Sequence, residues 1–120
     1  MSNIAFILSS ITKDLYSDKE SNACQFFFFS SMLHYAVSLE IASSSYKGKF
    51  TSLYSLSNII PKKLGSLSSI KNILREGVGL GYFIKYSKNN DHRVKEYKLS
   101  EEFSLMVTYW YLDNKAKYIN

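Results

Sequence analysis

The sequence predicts a mainly α-helical fold with one small β-hairpin near its C-terminal end. Through most of the 120 residues, apolar side chains recur at the three- and four-residue spacing of amphipathic helices. Residues 82–86 and 94–99 are instead rich in aromatic and β-branched side chains, and Asn89-Asn90-Asp91 between them is typical of a turn. An apolar content of 46% is enough for one core, so residues 1–120 are expected to form a single domain.

Two helices are expected in the first part of the chain. Residues 3–16 place apolar side chains on one face, and a polar break follows at residues 18–21. A long helix is predicted for residues 22–44, and it is apolar around so much of its circumference that more than one neighbour must cover it. In so small a chain, we expect one of these neighbours to be a second subunit.

Two short helices joined by a tight turn are predicted next. Thr51-Ser52 is a good N-cap pair for a helix over residues 53–60. That helix ends before Pro61, because the residue preceding a proline disfavours the helical conformation. Residues 61–65 make the tight connection, and Ser66 caps the second short helix. Glycines then lead the chain into the first strand of the hairpin.

A last helix follows the hairpin. Ser100-Glu101-Glu102 supplies a capping serine and two carboxylates at the positive end of the helix dipole, and the helix is predicted to extend to about residue 117. Two short helices joined by a tight turn make a helix-turn-helix, and an appended hairpin makes it a winged helix. The predicted fold is therefore a winged helix-turn-helix with additional helices at both ends.

Positive charge is concentrated in the middle of the chain. The whole chain carries +5, but residues 47–98 hold nine lysines and two arginines against three acids, a net charge of +8. The flanking residues 1–46 and 99–120 carry −2 and −1. This distribution favours a polyanionic partner for the middle of the chain. The alternative is that surface lysines serve only to keep the protein in solution.

The outward face of the second short helix carries side chains that suit a DNA major groove. Arginine can bind guanine through two hydrogen bonds, asparagine suits adenine, and serine hydroxyls reach phosphates or bases. Lysines in the tight turn and around the hairpin tip suit phosphate contacts. The alternative is an ordinary solvated surface. The predicted DNA-binding residues are Lys62, Lys63, Ser66, Ser68, Ser69, Lys71, Asn72, Arg75, Lys88, Asn90, His92, Arg93 and Lys95.

Arg93 is the strongest single candidate among them. From a hairpin tip, an arginine can enter a narrow minor groove, where the negative potential is enhanced. Asp91 lies two residues away and can hold the guanidinium in place through a bidentate pair. The alternative is an exposed ion pair worth well under ~1 kcal/mol.

The single cysteine and the two histidines argue against several other kinds of site. Cys24 has no cysteine partner for an intramolecular disulfide, which fits a reducing cytoplasm. With no cation nearby in the sequence, it is predicted to be a buried structural thiol rather than a redox sensor. His34 is predicted to be a core histidine, and no closed zinc site is expected.

Neither catalysis nor a membrane span is expected. The sequence shows no catalytic constellation and no glycine-rich phosphate loop, so we expect no enzyme activity and no cofactor. The longest apolar run, residues 24–42, is interrupted by six polar side chains, which favours a buried helix over a membrane span.

The middle of the chain resembles the MarR-type winged-helix regulators. Leu56-Ser57-Asn58-Ile59-Ile60 through Leu80-Gly81-Tyr82-Phe83-Ile84 looks like the helix-turn-helix of that family. Asp91-His92-Arg93-Val94-Lys95 followed by Leu99-Ser100-Glu101-Glu102 resembles its wing, the β-hairpin beside the helix-turn-helix. The resemblance implies a homodimer held by helices at about residues 1–46 and 101–120, with the helix-turn-helix and wing at about residues 50–100.

The resemblance also implies a function. Members of the family commonly act as transcriptional regulators, often repressors, that bind double-stranded DNA. Many of them release DNA on binding a small molecule or on cysteine oxidation. An alternative from another class stays open, in which the winged helix is a protein-interaction or assembly module and the aromatic long helix is its functional surface.

Overall fold

The computed structural model describes the backbone of residues 2–16, 20–88 and 91–119, and the side chains of residues 3–9, 12, 23–87 and 94–114. Within these residues the fold is mainly helical with a small antiparallel sheet, as the sequence predicts, but the sheet has three strands and not only the two of the predicted hairpin. In chain order, the elements are α1 (Ser2–Tyr16), α2 (Glu20–Phe28), α3 (Met32–Tyr46), β1 (Thr51–Ser52), α4 (Leu53–Ile59), α5 (Leu67–Gly79), β2 (Phe83–Lys88), β3 (Asp91–Leu99) and α6 (Glu101–Ile119).

The single long helix predicted for residues 22–44 is wrong, because the chain breaks between α2 and α3. Ser31 is extended, with φ −156° and ψ 166°, and its hydroxyl accepts a hydrogen bond from the His34 N–H at 3.1 Å. The Ser30 hydroxyl donates to the Phe26 carbonyl at 2.7 Å. Two serines therefore end one helix and cap the next. The apolar pattern runs through the break, and this is why periodicity alone predicted one helix.

The sheet has the strand order β1-β3-β2. β2 and β3 form the predicted hairpin, in which Phe83 lies opposite Leu99 and Lys85 lies opposite Tyr97. Thr51 of β1 also pairs with Tyr97, from the other side of β3. The sequence pattern predicts only a helix cap at residues 51 and 52, and no strand. Ser52 does cap α4, since its hydroxyl accepts the Ser55 N–H at 3.2 Å, and the two residues add a short third strand as well.

Helices α4 and α5 form the predicted helix-turn-helix. Ile60 follows α4 in an extended conformation, with ψ 127°, as expected before a proline. The Ser66 hydroxyl accepts the Ser69 N–H at 3.2 Å and so caps α5. α5 then buries Ile70, Ile73 and Leu74 against the core.

An aromatic cluster joins the helix-turn-helix and the hairpin to the flanking helices. Phe103 of α6 is fully buried, and its ring lies 5.1 Å from the Tyr82 ring and 5.7 Å from the Phe83 ring. The rings of Phe27 and Phe28 on α2 lie 5.8 Å and 6.1 Å from it. Aromatic rings bury large apolar areas, so this cluster fixes α2, α6 and the hairpin relative to one another.

Helix α1 is the least covered part of the molecule. The side chains described for it are all exposed, including Ile4, Ile7 and Leu8 at 56–60% of their surface. α1 approaches α2 closely at few points, and the molecule is elongated, measuring 56 × 29 × 28 Å. Across the part of the chain that the structure describes, no helix has the length and apolar character that a bilayer crossing needs.

Gly77 holds α5 close to the hairpin, and we expect Gly77→Ala to destabilise the fold by about 1–3 kcal/mol. A Cβ at this position would collide with the ring of Phe83, which is 2% exposed and cannot move aside. Gly79→Ala is the matched control, because a Cβ there meets nothing within 4 Å. The control gains helix propensity and is expected to stabilise by a few tenths to about 1 kcal/mol. Urea unfolding of both variants checks this, and equal effects would refute the close packing at Gly77.

Candidate nucleic-acid interface

The two faces of α5 have different roles. Its inner face is locked in the core, while Ser68, Lys71, Asn72 and Arg75 are exposed on its outer half. These four predicted residues therefore lie on one accessible surface. Ser69 is only half-exposed, and its hydroxyl lies 3.1 Å from the Ser66 hydroxyl within the helix cap.

The turn before α5 exposes two lysines. Lys62 and Lys63 lie in residues 62–64, between the two helices of the helix-turn-helix, and both are exposed. Lys62 also lines a shallow cavity of about 440 Å³ together with Asn58 and Ser66. The predicted phosphate-contacting lysines and the N-terminal end of α5 thus lie on adjacent surface.

The tip of the hairpin is described in part. Lys88 ends β2, and Asp91, His92 and Arg93 begin β3. Asn90 lies outside the described residues, as do the side chains of these four residues, and the proposed pair between Asp91 and Arg93 stays a prediction. 

Just below the tip, the hairpin positions one further predicted residue. Lys95 lies opposite Ser87 across the two strands, and its ammonium donates to the Ser87 hydroxyl at 2.8 Å. This bond fixes a half-buried cation at the side of the hairpin.

Between α5 and the hairpin lies a cleft that collects several of the cations. A small cavity of about 130 Å³ is lined by Lys71 and Arg75 of α5 and by Lys85 and Tyr97 of the sheet. A second cavity of about 380 Å³ shares Lys71, Lys85 and Tyr97 with the first and adds Lys95. We call these two cavities together the basic cleft. The structure thus unites three predicted residues with Lys85, which the sequence analysis did not single out.

Lys85 could have been found from strand alternation. Side chains at every second position of a strand share a face, so Phe83, Lys85 and Ser87 point to the same side of β2. Phe83 is buried against α5, and Lys85 therefore follows on the same face where the core ends. A basic residue two positions after a buried aromatic residue in the same strand is the sequence signal that could have indicated Lys85.

The other side of α5 carries a contact between a histidine and a carboxylate. The His34 Nε2 lies 3.5 Å from the Glu76 Oε2, so α3 and α5 are linked at this point. The His34 side chain is 16% exposed and packs edge-on to the Phe27 ring at 5.1 Å. The predicted core histidine is therefore partly exposed at the edge of the core, and both of its ring nitrogens have hydrogen-bond partners. Among the side chains that the structure describes, no cluster of three or more metal-binding residue types is placed to hold an ion.

Cys24 lies at the junction of α2 and α6. It is 1% exposed, and its thiol lies 3.7 Å from the Glu102 Oε1. Burial raises the pKa of the Cys24 thiol, and the negative charge of Glu102 raises it further. The thiol is therefore protonated at neutral pH and poorly nucleophilic, which agrees with the prediction of a structural cysteine.

We expect Glu102→Gln to lower the pKa of the Cys24 thiol, because the variant removes a negative charge that disfavours the thiolate. Burial remains, so the pKa should stay above that of an exposed cysteine. The measurement is the pH–rate profile of alkylation by iodoacetamide, which should move to lower pH in this variant. Glu101→Gln removes the neighbouring exposed carboxylate and should leave the profile unchanged. Equal shifts in the two variants would contradict a specific effect of Glu102.

A larger cavity opens next to Cys24. Its volume is about 570 Å³, and α2 and α6 line it with Gln25, Glu102, Met106, Tyr109 and Trp110 among others. Its walls combine apolar and aromatic side chains with a few polar groups, which is typical of small-molecule sites.

A comparison with solved structures identifies the fold. The chain is similar to NadR, a MarR-family regulator, in the crystal structure of NadR in complex with 4-hydroxyphenylacetate. The TM-score is 0.60 at 15% sequence identity, and the match covers 98% of this chain and 76% of the NadR chain. No protein-family model matches the sequence, and no curated protein matches it significantly. The chain therefore has a winged-helix fold of the kind found in NadR.

Proposed function

We propose that this protein binds double-stranded DNA as a homodimer and acts as a MarR-like transcriptional regulator, most simply a repressor. The observation that carries the proposal is the exposed outer face of α5, which presents Ser68, Lys71, Asn72 and Arg75 beside a basic turn and a basic hairpin. A helix held by its inner face and lined outside with such side chains suits a major groove.

The proposed contacts are of two kinds: contacts to phosphates that position the protein on the duplex, and contacts in the grooves that recognise the DNA sequence. Lys62 and Lys63 bind phosphates at the start of α5 and place the helix on the duplex. Asn72 faces base edges, where an amide suits adenine. Arg75 adds a positive charge to the same exposed face of the helix. Arg93 enters the adjacent minor groove from the wing.

The exposed apolar side chains of α1 and α6 support the homodimer. On α6, Leu105, Tyr109 and Leu112 are spaced along one stripe and are 48–66% exposed. Ile4, Ile7 and Leu8 form a similar stripe on α1. Exposed apolar stripes on two terminal helices suit burial against a second copy. In the proposed single domain, residues 1–46 and 101–120 contribute this interface, although residues 20–46 and Phe103 also help to form the core described above.

Two-fold symmetry then dictates the form of the DNA site. Two copies of α5 related by a two-fold axis read a pseudo-palindrome, with half-sites about one helical turn apart.

We further propose that a small molecule regulates DNA binding from the cavity of about 570 Å³ beside Cys24. NadR binds 4-hydroxyphenylacetate, and the similar fold supports an effector of comparable size here. The cytoplasm is the compartment proposed for such a regulator.

Size-exclusion chromatography with and without duplex DNA tests this function against the assembly module. The specific observation favouring the module is that Phe26, Phe29 and Met32 at the α2–α3 break are 47–66% exposed. We expect a dimer whose elution moves to larger size with DNA. A higher oligomer that is indifferent to DNA would favour the module instead.

Arg93→Ala is expected to weaken DNA binding several-fold, because a wing-tip cation in the minor groove gains from the enhanced negative potential there. Fluorescence anisotropy with a labelled duplex measures the effect. Lys47→Ala is a suitable control, since it removes an exposed cation that lies at the C-cap of α3 and not in the hairpin. Equal affinities for the two variants would remove the wing tip from the mechanism.

A further inference from the structure

The basic cleft between α5 and the hairpin has the composition of an anion site. Lys71 and Arg75 lie one helical turn apart on α5 and form one wall. Lys85 and Tyr97, which pair across β2 and β3, form the other wall. Leu74 and Val78 close the inner end of the cavity. Three cations thus surround a small space with an apolar base.

The backbone geometry explains why these cations converge. Phe83 packs against α5 at Gly77, so the helix and the sheet touch at that level. Two residues further along β2, the same face carries Lys85 in place of an apolar side chain. The helix and the sheet no longer fill the space between them there, and the cleft remains open to solvent.

The cations of the cleft lack an acidic partner among the side chains that the structure describes. The contact between a basic and an acidic side chain that the structure shows on α5, among the described residues, is that of His34 with Glu76, on the opposite flank of the helix. Lys71, Arg75 and Lys85 therefore repel one another without compensation, and a bound anion would relieve this repulsion. Tyr97 adds a hydroxyl, and burial raises its pKa despite the opposing effect of Arg75, so the phenol stays neutral and able to donate.

The inner cavity has room for an anion. Its volume of about 130 Å³ can accommodate a phosphate group. The adjoining space of about 380 Å³, lined by Tyr54, Lys95 and Val94, leaves room for whatever the phosphate is attached to.

We propose that the basic cleft binds one phosphate group, and that Lys85 is a phosphate-binding residue together with Lys71 and Arg75. One source of the phosphate is the backbone of a bound DNA duplex, and for this source the proposal rests on the proposed function. The other source is a free phosphorylated small molecule, and the chemistry that the cleft recognises is the same in both.

Lys85→Gln tests the cleft, with Lys98→Gln as the matched control. Lys98 is an exposed lysine on β3, but it lies opposite Ile84, on the other face of the sheet, with its ammonium 6.0 Å from the centre of the Tyr86 ring. Both variants remove one positive charge from the same hairpin. In anisotropy titrations with duplex DNA, Lys85→Gln should weaken binding about fivefold or more beyond the control and reduce the salt slope by about one. Lys85→Arg keeps the charge and should restore binding.

A second titration separates the two sources of phosphate. Inorganic phosphate is added to the full-length protein at constant ionic strength, and the backbone amide resonances of Lys85 and Tyr97 are followed by NMR. Resonance shifts that vanish in Lys85→Gln and persist in Lys98→Gln support phosphate binding in the basic cleft. This support holds even if DNA binding does not depend on Lys85, or if the wild-type protein binds no DNA. The proposal is overturned when Lys85→Gln and Lys98→Gln agree in both titrations. That result would leave DNA binding by the wild-type protein unaffected. A failure of the cleft proposal can therefore be distinguished from a failure of the proposed function.

Discussion

Phe103→Ala should destabilise the protein by about 3–5 kcal/mol, the usual cost of removing a buried phenylalanine ring. Phe103 is fully buried, and its ring contacts aromatic side chains from α2, from the start of β2 and from the segment between α5 and β2. Its removal leaves a cavity at the point where three parts of the fold meet. Since most domains are stable by only about 5–15 kcal/mol, the loss is a large share of the total.

Phe50→Ala provides the control for this prediction, because Phe50 is 55% exposed and contacts one ring, that of Tyr86. Its removal should cost less than about 1.5 kcal/mol. Urea unfolding followed by circular dichroism measures both variants, at one protein concentration because a dimer gains stability by mass action. Similar losses in the two variants would show that Phe103 does not anchor the core.

Leu105→Glu should convert the proposed dimer into monomers. Leu105 is 53% exposed in the single chain, so the change should alter the stability of the monomer by only about 0.5 kcal/mol. In a homodimer, the two-fold axis brings two new carboxylates into one apolar interface, where unpaired charges are costly. We expect the dissociation constant of the dimer to rise by about 100-fold or more, equivalent to about 2.7 kcal/mol.

Leu80→Glu is the matched control for the interface. Leu80 is 54% exposed, nearly the same as Leu105, but it caps the C-terminal end of α5 and does not belong to the exposed apolar stripes of α1 and α6. Analytical ultracentrifugation over a range of concentrations should find this variant dimeric and Leu105→Glu monomeric. If both variants remain dimeric, α6 does not form the interface.

Local signals in the sequence were sufficient for much of the fold. Ser52, Ser66 and Ser100 cap helices where the sequence predicts caps, because N-capping depends on one side chain and its own backbone. The hairpin was equally predictable from its turn residues and alternating strands. These features involve few residues that are close in sequence, so no tertiary information was needed.

The features that the sequence did not reveal depend on distant contacts or on competing signals. The break at Ser30 and Ser31 was hidden because the apolar pattern of α2 continues into α3. Pairing of Thr51 with Tyr97 joins residues 46 positions apart, which no local pattern indicates. Lys85 looked like an ordinary surface lysine until the packing of α5 on Phe83 placed it beside Lys71 and Arg75.

An anisotropy titration of the wild-type protein on duplex DNA across a salt series is the decisive experiment for the proposed DNA binding. Each lysine or arginine that neutralises a phosphate releases counterions, so the logarithm of the binding constant should fall linearly with the logarithm of salt concentration, by about 0.9 for each contact. We predict clear binding at low salt with a slope that reflects several phosphate contacts. Binding that does not depend on salt, or no binding at low salt, would contradict the account.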